Sequence, residues 1–266
     1  MYDRFQRKID YLRISVTDRC NLRCIYCHPA EDVEWVPREE VLSLEEIHDV
    51  AAAAVDLGIR KIRLTGGEPL VRRGIVGLVA RLALLPGLEE LTMTTNATRL
   101  VEFAPQLKAA GLHRVNVSLD TLDPDHFRTI TRGGRLETVL AGIAAARDAG
   151  LTPIKLNCVI KESPDEPHAQ DVRAFAEQHG YLPRFIREMN LATGEFWVVI
   201  GGNGGDCSRC GRLRLTSRGE ILPCLFSDLR YNTRELGARG AIEAAVHNKP
   251  ESGHCSRDHS FYSVGG

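Results

Sequence analysis

The sequence lacks any run of 18 apolar residues, and residues 1–7 lack the apolar stretch of a signal peptide. We therefore expect a cytoplasmic protein without a membrane segment. It also lacks an excess of charge, because 34 Lys and Arg face 35 Asp and Glu. This balance gives no general case for binding nucleic acid or an anionic membrane.

Cysteine, in contrast, is abundant and clustered. Six of the eight cysteines form two tight groups near opposite ends of the chain. A reducing cytosol disfavours a disulfide framework, so this clustering indicates metal ligation. The first group contains Cys20, Cys24 and Cys27. The second group contains Cys207, Cys210 and Cys224.

The first group has the spacing C-x3-C-x2-C. Three thiolates can hold three corners of a four-iron, four-sulfur cluster and leave the fourth iron free for another ligand. The alternative is zinc, which normally takes four ligands and for which Cys24 and Cys27 could supply half a site. A zinc-bearing structural or nucleic-acid-binding protein is the hypothesis that follows from this alternative.

Between the two groups, helical stretches end at a glycine and short β-rich runs follow two or three residues later. The pattern recurs at Gly58, Gly111, Gly150 and Gly180. With further runs at 12–16 and 90–95, six strands are predicted. Strand–helix units in series favour a parallel sheet. We expect an α/β fold in which residues 1–189 form an incomplete six-unit TIM-like barrel, with its site at the carboxyl ends of the strands.

The remaining residues, 190–266, are predicted to form a small C-terminal module. Its glycine-rich stretch, 201–205, predicts a loop. A hairpin is expected from 213–216 to 221–224, and it carries the last cysteine of the second group. In the barrel, Ser43 and Glu46 form a capping-box signature that predicts a helix to about Leu57.

Polar residues end three predicted strands, at 65–69, 94–96 and 116–120. Gly66 and Gly67 expose backbone to a polar ligand, and Glu68 offers a carboxylate to an ammonium group. Each could instead be a simple turn former. Because parallel strands end at the same mouth of a barrel, we expect these residues to face the first cysteine group.

The first cysteine group, Gly66-Gly67-Glu68-Pro69 and the strand order resemble the radical S-adenosylmethionine enzymes. The resemblance implies that the open iron binds the amino and carboxylate groups of S-adenosylmethionine. It also implies that one electron from the cluster cleaves this cofactor to a 5′-deoxyadenosyl radical, while the protein orients it and excludes water.

The second cysteine group narrows the resemblance. Together with 12–20, 211–215, 223–226 and the terminal Gly265-Gly266, it resembles the molybdenum cofactor biosynthesis protein A family, the GTP 3′,8-cyclases. The likeness covers residues 10–189, resumes from about 196 to 230 and returns at the last few residues. It implies a lyase that converts GTP to (8S)-3′,8-cyclo-7,8-dihydroguanosine 5′-triphosphate in molybdenum cofactor biosynthesis.

The same resemblance implies two four-iron clusters, one at each cysteine group, and S-adenosylmethionine as cofactors. GTP is the implied substrate. A downstream pyranopterin-forming enzyme and a reductant are the implied partners. Whether the protein forms a homodimer is left open.

Individual residues take roles from this resemblance. Those implied to contact S-adenosylmethionine are Tyr26, Gly66, Gly67, Glu68, Ser118 and Met189. Those implied to contact GTP are Arg13, Arg63, Thr94, Lys155, Arg212 and Arg214. Those implied to be catalytic are Arg212, Arg214, Gly265 and Gly266. A triphosphate carries about four negative charges, which converging Arg and Lys side chains would offset. Outward-facing or salt-bridged positions are the alternative for Arg63 and Lys155, since a lone cation inside a strand is costly.

Two features depart from the family. Only residues 190–206 separate Met189 from Cys207, where the family has a longer stretch that closes one side of the substrate channel. Arg187-Glu188 stands where the family usually has an acid and an aromatic. Either the chain is a trimmed variant with a more open pocket, or residues are missing from the sequence. A radical enzyme that acts on a peptide or other small molecule, with the second cluster as an auxiliary centre, is the alternative function.

Overall fold

The computed structural model describes residues 1–28, 33, 35–258 and 261–264. Its strands are β1 (Tyr11–Ser15), β2 (Lys61–Thr65), β3 (Glu90–Thr95), β4 (Arg114–Ser118), β5 (Lys155–Ile160), β6 (Leu182–Arg187), β7 (Arg212–Leu215), β8 (Glu220–Leu222) and β9 (Tyr231–Asn232). Its helices are α1 (Leu44–Asp56), α2 (Ile75–Ala83), α3 (Leu100–Ala109), α4 (Pro124–Thr131), α5 (Leu136–Asp148), α6 (Pro167–His179), α7 (Thr233–His247) and α8 (Phe261–Val264). Within these described ranges, none of the helices has the length and apolar character that spanning a membrane requires.

All nine strands form one sheet in the order β6-β5-β4-β3-β2-β1-β7-β8-β9. The first six strands pair in parallel with their sequence neighbours, which confirms the predicted strand–helix series and the incomplete TIM-like barrel. Strand β7 adds to the free edge of β1, also in parallel, and β8 and β9 follow as antiparallel strands. The C-terminal residues thus extend the barrel sheet, and a domain boundary at 189/190 stays a prediction.

The two faces of the strands differ sharply in polarity. Leu12 and Ile14 of β1 are fully buried in the core that packs against the helices, as are the corresponding residues of the neighbouring strands. Since side chains alternate along a strand, Arg13 projects to the opposite, inner face. It lies in register with Arg63 of β2 on one side and Arg214 of β7 on the other. The barrel interior is therefore polar and cationic at its centre.

Local signals place the helices around this sheet. The predicted capping box is present at α1: the Ser43 hydroxyl accepts from the Glu46 N–H at 3.1 Å, and the Glu46 carboxylate accepts from the Ser43 N–H at 2.7 Å. Glu46 also bonds to Arg234 of α7 at 2.8 Å. The C-terminal helix α7 was not predicted, because it bends at Gly237, which has a φ of 69°.

The short stretch between β6 and the second cysteine group folds back on the barrel. Its glycine-rich part is a turn, as predicted. Ile200 and Phe185 of β6 exchange backbone hydrogen bonds of 3.0 and 3.1 Å. The predicted hairpin also forms: β7 and β8 pair across a turn in which Gly219 has a φ of 89°.

Candidate functional site

Two neighbouring cavities lie at the carboxyl ends of the strands. One has a volume of about 220 Å³ and is lined by all three cysteines of the first group; we call it the first cavity. The other, of about 170 Å³, is lined by all three cysteines of the second group and is called the second cavity. The lining residues common to both are Thr94, Asn157, Ile186, Met189 and Phe261. The fold thus brings the two cysteine groups to adjacent compartments.

The first cysteine loop is held against the end of β2 by two glycines. The Gly67 N–H donates to the Thr17 carbonyl, and the Glu68 N–H donates to the Arg19 carbonyl, both at 2.8 Å. A Cβ on Gly67 would lie 2.3 Å from the Arg19 carbonyl oxygen, and one on Gly66 would lie 2.5 Å from that of Thr17. Both glycines line the first cavity, but the need for glycine comes from the close approach of the loop backbone.

The three thiols of this loop are partly buried. Burial, together with nearby carboxylates and thiols, raises the pKa of Cys20 to about 11 and those of Cys24 and Cys27 to about 12. The Leu22 N–H donates to the Cys20 sulfur at 3.4 Å, and the Asn96 amide donates to it at 3.8 Å. Donors aimed at a ligating sulfur are a common feature of iron–sulfur sites.

These cysteines fit a cluster better than a single ion. In the part of the chain that the structure describes, no group of three or more His, Cys, Asp or Glu side chains could hold one metal ion. A four-iron cluster makes a different demand, since each thiolate binds its own iron. Three thiols on one short loop, facing one cavity, meet that demand.

A buried carboxylate, that of Asp120, lines the first cavity together with the cysteines. Asp120 accepts a 2.7 Å hydrogen bond from the Tyr26 hydroxyl and a 2.8 Å bond from the Val159 N–H. Burial raises the pKa of Asp120, and burial together with Asp120 raises that of Tyr26 well above its usual value. Asp120 was not predicted as a site residue, although its position at a polar strand end was the available signal.

The other residues predicted to contact S-adenosylmethionine divide into two sets. Tyr26, Ser118 and Met189 line the first cavity with the two glycines. Glu68 is absent from that lining. Its buried carboxylate accepts bonds of 2.7 Å from the Thr95 hydroxyl and the Asn96 N–H, and one of 3.0 Å from the Leu70 N–H. Burial raises the pKa of Glu68 to about 7, although these hydrogen bonds act to lower it. The carboxylate therefore supports the backbone at the end of β3.

The second cavity is rich in cations. Besides the second cysteine group, it is lined by Arg13, Arg63, Arg212, Arg214 and Thr94, all predicted to contact GTP. Burial, together with neighbouring arginines including Arg13, lowers the pKa of Arg63 to about 9. Such a charge cluster is costly by itself and is offset when an anion enters.

Tyr11 lies at the centre of these cations. The guanidinium carbons of Arg13, Arg63 and Arg212 lie 5.9, 5.5 and 5.8 Å from its ring centroid. Burial alone would raise the pKa of Tyr11, but the three guanidinium groups lower it to about 8. Tyr11 is a cation–π centre that sequence reasoning did not single out.

Lys155 takes a different position from the arginines. It belongs to β5 and lies in register with Asn116, but it does not line either cavity. Burial and the charges of Arg114 and Arg184 lower its pKa to about 8. Its predicted contact with GTP stays a prediction. Arg184 of β6 was not predicted as a site residue, yet its Nε is buried without a hydrogen-bond partner among the described residues.

The shortened stretch still forms one wall of the second cavity. Phe196, Trp197 and Val199 line it. The guanidinium carbon of Arg187 lies 3.9 Å from the ring centroid of Trp197, so the two departures from the family pattern contact each other.

The C-terminal segment also reaches the cavities. Phe261 of α8 lines both, and the ring of Tyr262 stacks on His28 at 5.2 Å between centroids, beside Cys27. Gly265 and Gly266, predicted to be catalytic, lie outside the described residues.

Comparison with known proteins agrees with this geometry. The model of the Radical SAM superfamily matches residues 14–173. A GTP 3′,8-cyclase from Peptoclostridium acidaminophilum is 42% identical, with 98% of this chain and 94% of the relative aligned. One from Pseudomonas savastanoi pv. phaseolicola is 54% identical, with 86% and 82% aligned. The first of these alignments spans 310 positions, more than the 266 residues of this chain, so that relative contains residues with no counterpart here.

Solved structures share the fold at low sequence identity. Streptococcus suis SuiB bound to its precursor peptide SuiA has a TM-score of 0.69 and 16% identity, and the match covers 91% of this chain and 65% of SuiB. Native anSMEcpe with bound S-adenosylmethionine has a TM-score of 0.63 and 14% identity, with 91% and 81% covered. Radical SAM enzymes use a four-iron cluster and S-adenosylmethionine. This chain belongs to the Radical SAM superfamily and, within it, to the GTP 3′,8-cyclase family.

Proposed function

We propose that this chain is a GTP 3′,8-cyclase that acts in molybdenum cofactor biosynthesis. One observation carries the proposal: three cysteines and four arginines line a cavity that shares five lining residues with the cavity of the first cysteine group. Such a pair of compartments can place a radical source next to a bound polyphosphate. The relatives named GTP 3′,8-cyclase support this substrate.

In the first cavity, Cys20, Cys24 and Cys27 would hold the cluster. With S-adenosylmethionine bound, that group supplies a 5′-deoxyadenosyl radical able to take a hydrogen atom from the substrate ribose. The protein's part is to orient and to exclude water. Tyr26 is fixed by its bond to Asp120, and Met189 lines both cavities. The methionine side chain thus lies where the two ligands would meet.

In the second cavity, the guanidinium groups of Arg13, Arg63 and Arg212 would bind the triphosphate. They already surround Tyr11, so their positions are set before the ligand arrives. Cys207, Cys210 and Cys224 would hold a second four-iron cluster whose open iron takes the purine. The second cluster, the reductant, the pyranopterin-forming partner, a homodimer and the cytoplasmic location remain predictions.

The shortened stretch bears on the alternative of a peptide substrate. Phe196 and Trp197 close part of the second cavity, and its volume of about 170 Å³ leaves room for a small ligand. Four arginines in this space favour a phosphorylated ligand over a peptide backbone.

The test is anaerobic protein, reconstituted with iron and sulfide and supplied with dithionite, S-adenosylmethionine and GTP. We expect equal amounts of 5′-deoxyadenosine and cyclised GTP, and no cyclised product from guanosine, which lacks the triphosphate. Formation of 5′-deoxyadenosine with GTP left intact would show that the radical chemistry is right and the substrate is wrong.

A further inference from the structure

Lys249, just after α7, is a buried lysine outside both cavities. Only 2% of its surface is exposed, and it is among the largest fully buried side chains of the molecule. Its ammonium group donates to the Arg212 carbonyl at 2.7 Å and also to the Pro223 carbonyl. Arg212 follows Cys210 by two positions, and Pro223 immediately precedes Cys224. The lysine therefore ties together the backbone beside two of the three cysteines.

In the part of the chain that the structure describes, Lys249 forms no ion pair with a carboxylate. The groups that favour its charge are the sulfurs of Cys210 and Cys224. An unpaired buried ammonium is costly, so its retention needs a negative partner. Cluster-bound thiolates would be that partner.

Arg7 is a second buried cation near the same cysteines, and it differs from Lys249 in having a carboxylate partner. Arg7 donates to the Cys207 carbonyl at 2.8 Å, so it also supports the loop. Its guanidinium is already neutralised by the buried carboxylate of Asp3, at 2.6 Å. Arg7 supplies backbone support without net charge, whereas Lys249 supplies both.

We propose that Lys249 is a positioning residue for the second cluster. Its ammonium group holds the backbone beside Cys210 and Cys224 and compensates the negative charge of the cluster. The inference rests on the proposed second cluster. The potential of an iron–sulfur cluster depends on net charge and hydrogen bonding around it. A nearby positive charge stabilises the reduced, more negative form, so loss of Lys249 should make the cluster harder to reduce.

The experiment uses the full chain with Cys20, Cys24 and Cys27 changed to alanine, so that only the second group can bind iron. Anaerobic reconstitution should give about four irons per chain. The midpoint potential is then measured by an EPR-monitored redox titration. Lys249→Met should shift the reduction equilibrium at least tenfold, about 59 mV to more negative potential for a one-electron couple. Lys249→Arg, which keeps the charge, should stay near the parent.

The matched control is the double variant Asp3→Asn, Arg7→Gln, which removes no net charge but removes the donors to the carbonyls of Cys207 and of Pro250 and Glu251 beside Lys249. It should keep the parent potential. If Lys249→Met binds no iron, while Lys249→Arg and the control bind about four, the charge is required for assembly, which supports the proposal. A parent-like potential in Lys249→Met, or an Arg variant that behaves like the Met variant, overturns it. Absence of iron from the background protein overturns the second cluster itself, and the Lys249 role with it.

Discussion

The two cavities have similar volumes, but the second carries much more positive charge than the first. The first contains Asp120 and Glu188 with Arg187, and burial raises the pKa values of its three thiols. The second contains four arginines and Asp206. Burial alone would raise the pKa of Cys210, but Lys249 and Arg212 lower it. Each cavity matches its proposed ligand, since S-adenosylmethionine carries a sulfonium and an ammonium group and GTP carries a triphosphate.

The cysteine groups also differ in how they are held. The first loop is held by its close backbone contacts with Gly66 and Gly67 and by the exposed Arg132, which donates to the Arg23 and His28 carbonyls at 3.2 Å. The second is held by two buried cations, Arg7 and Lys249. The following predictions test this difference, from the largest expected effect to the smallest.

The largest effect is expected from removing one cysteine of each group. Cys20→Ala should lower the iron content from about eight to about four and abolish 5′-deoxyadenosine formation. Cys210→Ala should lose the same amount of iron but still cleave S-adenosylmethionine, without cyclising GTP. Iron analysis and product chromatography measure both. Identical products from the two variants would contradict the division of labour.

Gly67→Ala should displace the first cysteine loop, because the new Cβ would lie 2.3 Å from the Arg19 carbonyl oxygen. We expect a loss of about 1–3 kcal/mol in the free energy of unfolding and loss of iron from the first group only. The control is Gly77→Ala in α2, where a Cβ meets nothing within 4 Å. It should be neutral or stabilising by up to about 1 kcal/mol. Full iron content in Gly67→Ala would show that the loop does not depend on this contact.

Arg63→Met should weaken GTP binding about ten- to hundredfold, since a charge-assisted hydrogen bond contributes about 1.5–3 kcal/mol. The melting temperature of the free protein should rise at the same time, because a buried cation among other cations is removed. Lys61→Met is the control on the same strand: its side chain is 45% exposed. It should change neither quantity. Unaltered GTP affinity in Arg63→Met would place the triphosphate elsewhere.

GTP affinity should fall as pH rises above about 8. Burial and neighbouring cations lower the pKa of Lys155 to about 8, so its positive charge is lost as pH rises through that value. Tyr11, whose pKa is also about 8, gains negative charge over the same range. A triphosphate favours the protonated forms of both, so affinity is full below about pH 7 and is lost as pH rises through about 8. One coupled proton gives about a tenfold loss between pH 7 and 9.

Equilibrium binding at fixed ionic strength measures this pH dependence. The double variant Lys155→Met, Tyr11→Phe should bind GTP with a flat profile from about pH 7 to 8, below the pKa of about 9 of Arg63. A flat profile in the parent protein would mean that neither group senses the ligand.

The parts of the site that local patterns specify were predictable. Arg63 and Lys155 alternate with the core residues Ile62, Leu64 and Leu156, and this alternation is enough to turn both away from the helix-covered face. The six parallel strands, the α1 capping box and the β7–β8 hairpin follow from similarly local signals. The cysteine spacings indicated both candidate metal-binding groups for the same reason.

Contacts between distant parts of the chain were not predictable. The two glycines were expected to admit a ligand, but the backbone that requires them lies about 50 positions earlier, at Thr17 and Arg19. Nothing in the sequence near Asp120 shows that it receives the Tyr26 hydroxyl. Lys249 follows a helix bent by Gly237, and its carbonyl partners come from another element. Only the three-dimensional fold brings these groups together.

The parallel pairing of β7 with β1 has a consequence for the order of assembly. It pairs Arg13 with Arg214, so a growing chain cannot complete the cationic compartment until β7 has left the ribosome. Until then one edge of β1 stays unpaired, and such edges invite association with other chains. If iron is supplied during synthesis, the first cysteine group would thus be available to bind it well before the second group.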